Sequence, residues 1–218
     1  MYHRRSAYVS LGVLPRVIPL IVLASALAIG CGDGLERVES RNADGIVVER
    51  YTRNADSLMH GVYEAFDDAG NVVERARYVD GELHGERTLY HPNGNPQYVE
   101  THDRGSFAGP YRAYYPDGQL ELEGEYVDNE MSGVWTGYYP NGQRKETVSF
   151  RENQENGPFR EWYSNGTIKA EGEYLGGDRE HGELTLYDLQ GEIQRRMFCD
   201  EGICRTVWKR EEAAADAG

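Results

Sequence analysis

Apolar and polar residues alternate along much of the chain, in short segments separated by glycine-containing turns. In the segment 120–126, apolar and glycine positions alternate with three glutamates, Glu121, Glu123 and Glu125. Leu120, Leu122 and Tyr126 then share one face and the glutamates share the other. A period of two residues is typical of a β-strand with one buried and one wet side. The pattern predicts an all-β protein built from half-buried strands.

Glycine recurs along the chain with a fixed period. One series has intervals of 24 residues and a last interval of 25: Gly61, Gly85, Gly109, Gly133, Gly157 and Gly182. A second series follows nine residues later: Gly70, Gly94, Gly118, Gly142, Gly166 and Gly191. A fixed period of roughly 20–50 residues indicates a repeat architecture. We therefore predict six tandem units.

Each unit has the pattern of a β-hairpin. An aromatic residue stands five positions after the first glycine, at Phe66, Tyr90, Tyr114, Tyr138, Trp162 and Tyr187. In three units the second glycine ends a Pro-Asn-Gly or Pro-Asp-Gly turn, and a returning strand follows. Six hairpins joined edge to edge predict one elongated, twisted antiparallel sheet of twelve strands, roughly 55–60 Å across. Residues 44–51 look like half a unit that supplies the first strand, and Cys199 replaces the closing aromatic in the last unit.

The units resemble the MORN-variant repeat family. The residues that carry the resemblance are the Gly-x-x-x-x-aromatic opening and the turn in 109–118, and the later aromatic in 123–126. The resemblance covers roughly residues 45–200. It implies a non-enzymatic interaction module, and many bacterial members are labelled as the antitoxin component of a toxin–antitoxin system.

The N-terminus has the pattern of an export signal. A basic start at Arg4 and Arg5 precedes an uncharged apolar run, 17–29, which is short for a transmembrane span. The run leads into a segment, 28–31, that resembles a bacterial lipobox and implies lipidation of Cys31 after cleavage. An ordinary signal peptide and an uncleaved anchor are the alternatives. Gly32, in place of an aspartate, favours the outer membrane of a bacterial envelope over the inner membrane.

These features divide the chain into four segments. Residues 1–30 are predicted to be a lipoprotein signal peptide, and 31–44 the lipidated cysteine with a polar tether. Residues 45–208 form the repeat domain, and 209–218 form a charged, alanine-rich tail.

Two further cysteines, Cys199 and Cys204, are close together in the sequence. The four residues between them include a glycine and can form a hairpin loop, so the cysteines would face each other within disulfide reach. An exported protein favours this bridge. A metal or redox pair is the alternative, but the spacing is not Cys-x-x-Cys and the chain has no second pair.

The chain is acidic, with a formal net charge of −14. Removal of residues 1–30 would take away three arginines and no acids, leaving a net charge of −17. Such a surface repels nucleic acids and anionic lipid headgroups. It favours a cationic protein partner, although an acidic surface also serves solubility alone.

Candidate chemistry is sparse. The chain contains no Gly-x-Ser-x-Gly, no phosphate loop and no His-Glu-x-x-His. His60, His84 and His181 share one slot before a glycine, and we interpret them as turn residues; neighbouring repeats place them too far apart for one metal ion. The acidic segments 67–68 and 128–130 match no EF-hand loop and leave calcium a minor alternative. We predict no enzyme, no cofactor and no metal site.

Exposed aromatic residues are the better candidates for binding. Tyr115, Tyr139 and Tyr163 directly follow the aromatic of their units, so they would form a ladder on the opposite face, about 10 Å apart. Support of the sheet alone is the alternative. The sequence thus predicts a lipid-anchored envelope protein that binds another protein through one sheet face. An antitoxin or immunity protein, and a structural or glycan-binding envelope protein, are the alternatives; the oligomeric state is not predicted.

Overall fold

A computed structural model describes residues 34–211, which form one open antiparallel sheet of sixteen strands without a helix. The strands are β1 (Glu36–Arg41), β2 (Val47–Arg53), β3 (Met59–Phe66), β4 (Val72–Val79), β5 (Glu82–Leu83), β6 (Gly85–Tyr90), β7 (Pro96–Asp103), β8 (Ser106–Tyr114), β9 (Leu120–Val127), β10 (Glu130–Tyr138), β11 (Arg144–Arg151), β12 (Gln154–Trp162), β13 (Ile168–Tyr174), β14 (Glu180–Tyr187), β15 (Ile193–Asp200) and β16 (Ile203–Lys209).

The strands lie in the sheet in the order in which they occur in the chain, with the short β5 paired to β4 beside this path. The six predicted hairpins are β3–β4, β6–β7, β8–β9, β10–β11, β12–β13 and β14–β15. The predicted fold class is therefore confirmed. The sheet exceeds the twelve hairpin strands because β1 and β2 extend it at one end, β16 extends it at the other, and the short β5 pairs with β4.

The turn within each predicted hairpin depends on its glycine. In the third hairpin the Gly118 N–H donates to the Tyr115 carbonyl at 2.8 Å, and the Tyr115 N–H donates to the Gln119 carbonyl at 2.9 Å. Gly118 has a φ of +88°, while Asp117 keeps a negative φ. This is a type I turn that ends in one left-handed residue, and glycine adopts that conformation without a Cβ penalty.

A second kind of turn joins most successive hairpins and also joins β15 to β16. Two central residues with positive φ make each a two-residue turn of the type I′ class: Asp80–Gly81, Arg104–Gly105, Asp128–Asn129, Glu152–Asn153 and Glu201–Gly202. The weak calcium candidate at 128–130 is one of these turns. Asn129 accepts the Phe107 N–H at 2.8 Å with its side-chain oxygen and donates its own N–H to the Phe107 carbonyl at 2.9 Å. These bonds give the segment a structural role.

A β-bulge interrupts the predicted alternation of the returning strand. Ala113 pairs with Leu122, but Tyr114 pairs with Leu120, so Glu121 is the extra residue. The same shift occurs in all six hairpins. The prediction that Leu120 continues the regular face of Leu122 is therefore wrong, because the bulge intervenes.

One face of the sheet, which we call the core face, is packed with its own side chains. Among residues 34–211, the side chains buried at the centre of this face include Tyr111, Trp135, Val148, Phe159, Leu184 and Met197. Glycines make room for the largest rings. A Cβ on Gly124 would overlap the Trp135 indole, and a Cβ on Gly172 would lie 3.0 Å from Phe159. A single sheet thus builds a core by laying aromatic rings over glycine backbone.

Aromatic rings connect the central repeats along the core face. Phe107 lies 4.9 Å from Tyr126, Tyr126 lies 5.1 Å from Trp135, and Trp135 lies 6.1 Å from Phe150, measured between ring centroids. Two of these pairs meet edge to face, a favoured geometry for aromatic rings. The closing aromatic of each unit therefore serves the core.

The first strand corrects the predicted N-terminal boundary. Residues 31–44 were predicted as a tether, but 36–41 form β1, which pairs with β2 along its length. Val38 and Ser40 are buried, while the flanking residues are charged, and Glu36 pairs with Arg53 at 2.8 Å. The high polarity of this segment conceals its period of two. Residues 44–51 consequently supply most of the second strand, not the first.

The C-terminal boundary also moves. β16 continues to Lys209, and Arg210 pairs with Asp188 at 2.6 Å and Glu192 at 3.2 Å. The predicted tail, 209–218, therefore begins within the sheet, and residues 212–218 lie outside the described part. The signal peptide, Cys31 and Gly32 lie outside it as well.

Candidate functional site

The face opposite the core face, which we call the outer face, is the broad surface open to solvent. It bears Arg112, which lies opposite Glu123 in the β8–β9 register, and Val134, which lies opposite Ser149. Val62, Val134 and Phe198 are exposed on this face. Since the core face is filled by packed rings, a partner that docks flat on the sheet meets the outer face.

An aromatic row runs along the outer face, one residue per repeat. Its members are all partly buried: Phe66, Tyr90, Tyr114, Tyr138, Trp162 and Tyr187. Repeats of two strands space them about 10 Å apart. The Arg50 guanidinium lies over Phe66 at 5.2 Å and that of Arg144 lies over Trp162 at 5.1 Å. The row that the sequence pattern treated only as structural is thus a surface able to stack on cationic groups.

Carboxylates fix two members of this row. The Tyr138 hydroxyl donates to Glu123 at 2.8 Å, and the Tyr187 hydroxyl donates to Glu171 at 2.5 Å. Burial, followed by the hydrogen bond to Glu171, raises the pKa of Tyr187 to about 12. Burial likewise raises the pKa of Tyr138, with Glu123 adding to the effect. These rings are held in fixed orientations and remain neutral at physiological pH.

Carboxylates slightly outnumber arginines on the outer face of the last four hairpins. Arg112 pairs with Glu123 at 3.9 Å and Arg160 pairs with Glu171 at 3.2 Å, and this face also bears Arg144, Arg151 and Arg196. Three further carboxylates of this face are exposed: Glu125, Glu173 and Glu183. Proline lies opposite Glu125 and Glu173 within the hairpins, and Ser132 and His181 lie opposite them on the following strands. The arrangement combines aromatic rings with an excess of negative charge.

Tyr115, Tyr139 and Tyr163, the predicted binding ladder, lie in one row. Their hydroxyls form hydrogen bonds within the sheet. Each hydroxyl donates to a backbone carbonyl of the next repeat, at 2.8–2.9 Å: Tyr138, Trp162 and Tyr187 in turn. His91 occupies the same slot one repeat earlier, with Nε2 2.8 Å from the Tyr114 carbonyl. The three tyrosines are partly buried. They connect repeats, and partner binding by their rings stays a prediction.

The three histidines of the glycine slot each face an aspartate of the following turn. Nδ1 of His60 lies 3.2 Å from Asp80, and His84 and His181 have the same relation to Asp103 and Asp200, at 3.2 Å and 3.8 Å. Within residues 34–211, no three histidine, cysteine or acidic side chains gather as a metal site. The histidines fit the role of turn residues.

The cysteines of β15 and β16 form a covalent link. Cys199 and Cys204 are directly opposite each other across the turn 200–203, with Cα atoms 3.9 Å apart, and they form a disulfide. Cys199 is fully buried on the core face. Cys199 takes the position at which the other units have their closing aromatic ring.

A charged cluster interrupts the core face in the second unit, where Arg87 takes the slot that holds Tyr111 in the next. Arg87 contacts Glu74 at 2.7 Å and Glu100 at 3.1 Å, and Glu100 contacts His102 at 3.3 Å. Burial lowers the pKa of Arg87, but the hydrogen bonds and charges of Glu74 and Glu100 together outweigh it, so the pKa is raised. The side chains of Arg87, Glu74 and Glu100 are largely buried. The partners of Arg87 come from the neighbouring strands β4 and β7, so the sequence pattern alone does not bring them together.

Four tandem segments match the model of the MORN repeat variant: residues 83–103, 108–128, 131–152 and 155–175. They contain the hairpins from β6–β7 to β12–β13, so the resemblance is confirmed for these four repeats. MORN repeats are typically protein- or membrane-binding modules and are generally not catalytic. No curated protein sequence matches the chain. Between Gly34 and Glu211, no helix has the length and apolar character needed to cross a membrane.

Proposed function

We propose that this array of MORN-type repeats is a non-enzymatic interaction module that binds a cationic surface of another protein. The observation that carries the proposal is the outer face, where one aromatic ring per repeat stands among exposed carboxylates. Basic side chains recognise such a surface in two ways, by ion pairing and by stacking on rings. The net charge of −14 would speed the encounter with a basic partner.

We further propose that the module is held in the bacterial envelope by a lipid on Cys31, with the outer membrane as its location. The basic start, the apolar run and the cysteine that follows it support this proposal. A disulfide between Cys199 and Cys204 agrees with an oxidising compartment outside the cytoplasm. The intact mass of the native protein tests the anchor: a chain that still carries residues 1–30, or a Cys31 without acyl groups, would refute it.

The partner distinguishes an interaction module from the narrower alternatives. A single tight partner with toxin activity would indicate an antitoxin or immunity protein, as the bacterial relatives of the family suggest. Binding to a cell-wall polymer without a protein partner would instead favour a structural or glycan-binding role, because aromatic ladders also stack on sugar rings.

The test is affinity capture from envelope extracts with three forms of the full chain. The first is the native chain, and the second carries Tyr114→Ser, Tyr138→Ser and Trp162→Ser in the outer row. The third carries Tyr115→Phe, Tyr139→Phe and Tyr163→Phe, which removes only the hydroxyls that join repeats. Each lost hydrogen bond is expected to cost about 1 kcal/mol of unfolding free energy while leaving the rings in place.

We expect a basic protein to bind the native chain and the hydroxyl variant, and to be lost with the outer-row variant. Circular dichroism of all three forms controls for folding. Equal capture by all three would place the binding surface elsewhere. Capture of no protein by the native chain would contradict the interaction role itself.

A further inference from the structure

The C-terminal edge of the sheet is open. Within residues 34–211, β16 pairs with β15 alone and forms the last strand of the sheet. The short Cα spacing of 3.9 Å between Cys199 and Cys204 is that of a pair without mutual backbone hydrogen bonds. The backbone groups of Cys204, and by alternation those of Thr206, therefore point away from β15. They form a row of donors and acceptors for one more strand.

Large apolar side chains surround this open row. Ile203 is 71% exposed, Val207 is 66% exposed and Trp208 is 46% exposed, and Phe198 on the adjacent β15 is 55% exposed. Ile203, Trp208 and Phe198 lie on the outer face by their register with Asp200, Arg196 and Arg205. Such a concentration of exposed apolar side chains at a strand edge marks an interaction site.

The opposite edge of the sheet is protected, which shows that the openness of β16 is not a general property of this fold. On β1 the apolar Val38 is buried, and the exposed side chains are charged. Glu39 pairs with Arg37 at 3.2 Å and with Arg41 at 3.0 Å. Charged residues on an edge strand discourage the addition of another strand.

The charge around β16 is opposite to that of the rest of the molecule. The only acidic residues from β15 to β16 are Asp200 and Glu201 in the turn region, while the strands carry four basic residues: Arg195, Arg196, Arg205 and Lys209. The chain as a whole has a net charge of −14. An occupant of this edge therefore meets apolar side chains and positive charge together.

We propose that β16 binds an extended, acidic segment of a partner protein, which adds to the sheet as a further strand. Its backbone would pair with the open groups of Cys204 and Thr206. Its apolar side chains would pack on Ile203, Trp208 and Phe198, and its carboxylates would pair with Arg205 and Arg196. This site lies at the edge of the sheet, beyond the aromatic row whose partner is proposed to be cationic.

A second copy of the chain is the competing occupant, and charge disfavours it. An antiparallel pair of β16 strands would bring two copies of Arg205 and Lys209 to one short interface. Like charges near each other across paired strands are destabilising. An acidic strand turns the same residues into attractive contacts.

The experiment uses the full chain in detergent and a fluorescent peptide of about eight residues, in which valine, glutamate and tyrosine alternate with threonine so that they share one face of the added strand. Fluorescence anisotropy measures its binding. One control peptide has lysine in place of glutamate, and another has a central proline that cannot pair as a strand. Two variants address the edge: Arg205→Glu reverses a charge, and Thr206→Pro removes an open N–H. Arg112→Glu on the outer face is the matched control, because it makes the same charge change away from the edge.

We expect the acidic peptide to bind, and Arg205→Glu and Thr206→Pro each to weaken binding about tenfold or more. Arg112→Glu should change it by less than about twofold, and the two control peptides should not bind. Equal weakening by Arg112→Glu would show that the peptide binds by non-specific electrostatic attraction, and it would overturn the proposal. So would an absence of binding at about 1 mM peptide. Sedimentation that shows a dimer of the native chain, lost in Thr206→Pro, would assign the edge to a second copy instead.

Discussion

At the scale of single residues, the contact between Gly124 and Trp135 is the least tolerant point of the core face. The indole lies directly over the glycine, so a methyl group there must displace it. We expect Gly124→Ala to lower the unfolding free energy by about 1–3 kcal/mol, as overpacking does in other cores. Urea unfolding measures the loss. The same substitution in a Trp135→Leu background should cost much less, and an equal cost there would attribute the effect to the backbone.

Buried tyrosines link stability to high pH. Burial is the main cause that raises the pKa of Tyr63 and Tyr111, and it raises that of Tyr187 to about 12. An unfolded tyrosine has a pKa of about 10, so the unfolded chain loses its phenolic protons first. The stability contributed by the neutral rings is complete below about pH 10 and declines as the pH rises towards about 12.

Base titration with near-ultraviolet absorbance measures this effect. The folded protein should form tyrosinate at higher pH than the chain unfolded in urea, and its urea midpoint should fall over the same interval. Tyr187→Phe should remove one late-titrating group. Coincident titration of the folded and unfolded chains would contradict the burial of these phenols.

At the scale of the element, the pair of strands β15 and β16 combines a type I′ turn with the disulfide. The bridge closes a loop of only a few residues, so it restricts the unfolded chain modestly. Replacement of Cys199 and Cys204 by serine should lower the unfolding free energy by about 2 kcal/mol from lost loop restriction. The burial of Cys199 adds a cost for its new hydroxyl. Reduction of the native chain isolates the first contribution, and an unchanged urea midpoint after reduction would contradict it.

The sequence predicted the hairpins more completely than the connections between them. The Pro-Asn-Gly signal marks the turns at Gly94 and Gly142 because one residue there must be left-handed. The type I′ turns at 128–129 and 152–153 lack glycine, and their sequences do not differ from ordinary polar segments. β1 was missed for a similar reason: its neighbours supply the ion pairs that allow so polar a strand.

The candidate site shows the same limit. Aromatic spacing predicted two rows of rings, but the sequence could not tell that one row bonds carboxylates and the other bonds backbone carbonyls. Tyr139 donates to a carbonyl that lies 23 residues later in the chain, so its role depends on the contact between repeats. The exposed apolar residues of β16 were not predicted, because exposure at an edge depends on which strand comes last.

At the scale of the whole molecule, the sheet is modular. Among residues 34–211 the strands pair in chain order, with the short β5 beside the path, and the main contacts join adjacent strands. Deletion of residues 133–156 removes one repeat and joins Ser132 to Gly157 in the same slot. We expect a folded protein with two fewer strands, in which Phe159 takes the place of Trp135 over Gly124.

Circular dichroism and urea unfolding check this prediction, with one cooperative transition at a lower midpoint as the expected result. Deletion of 133–144 is the matched control. It removes half a repeat, so strands that follow would meet their neighbours out of register, and the chain should not fold. Failure of the full-repeat deletion to fold would mean that stability depends on contacts specific to that unit.

The start of β1 at Glu36 also sets a distance scale. Four residues separate it from Cys31, and the five Cα-to-Cα steps between the two span at most about 18 Å. With a lipid on Cys31, the first edge of the sheet would stay close to the bilayer surface. The remaining strands, at about 4.8 Å each, would carry β16 up to about 70 Å along the sheet. The number of repeats would then set how far from the membrane the terminal edge of the sheet can meet a partner.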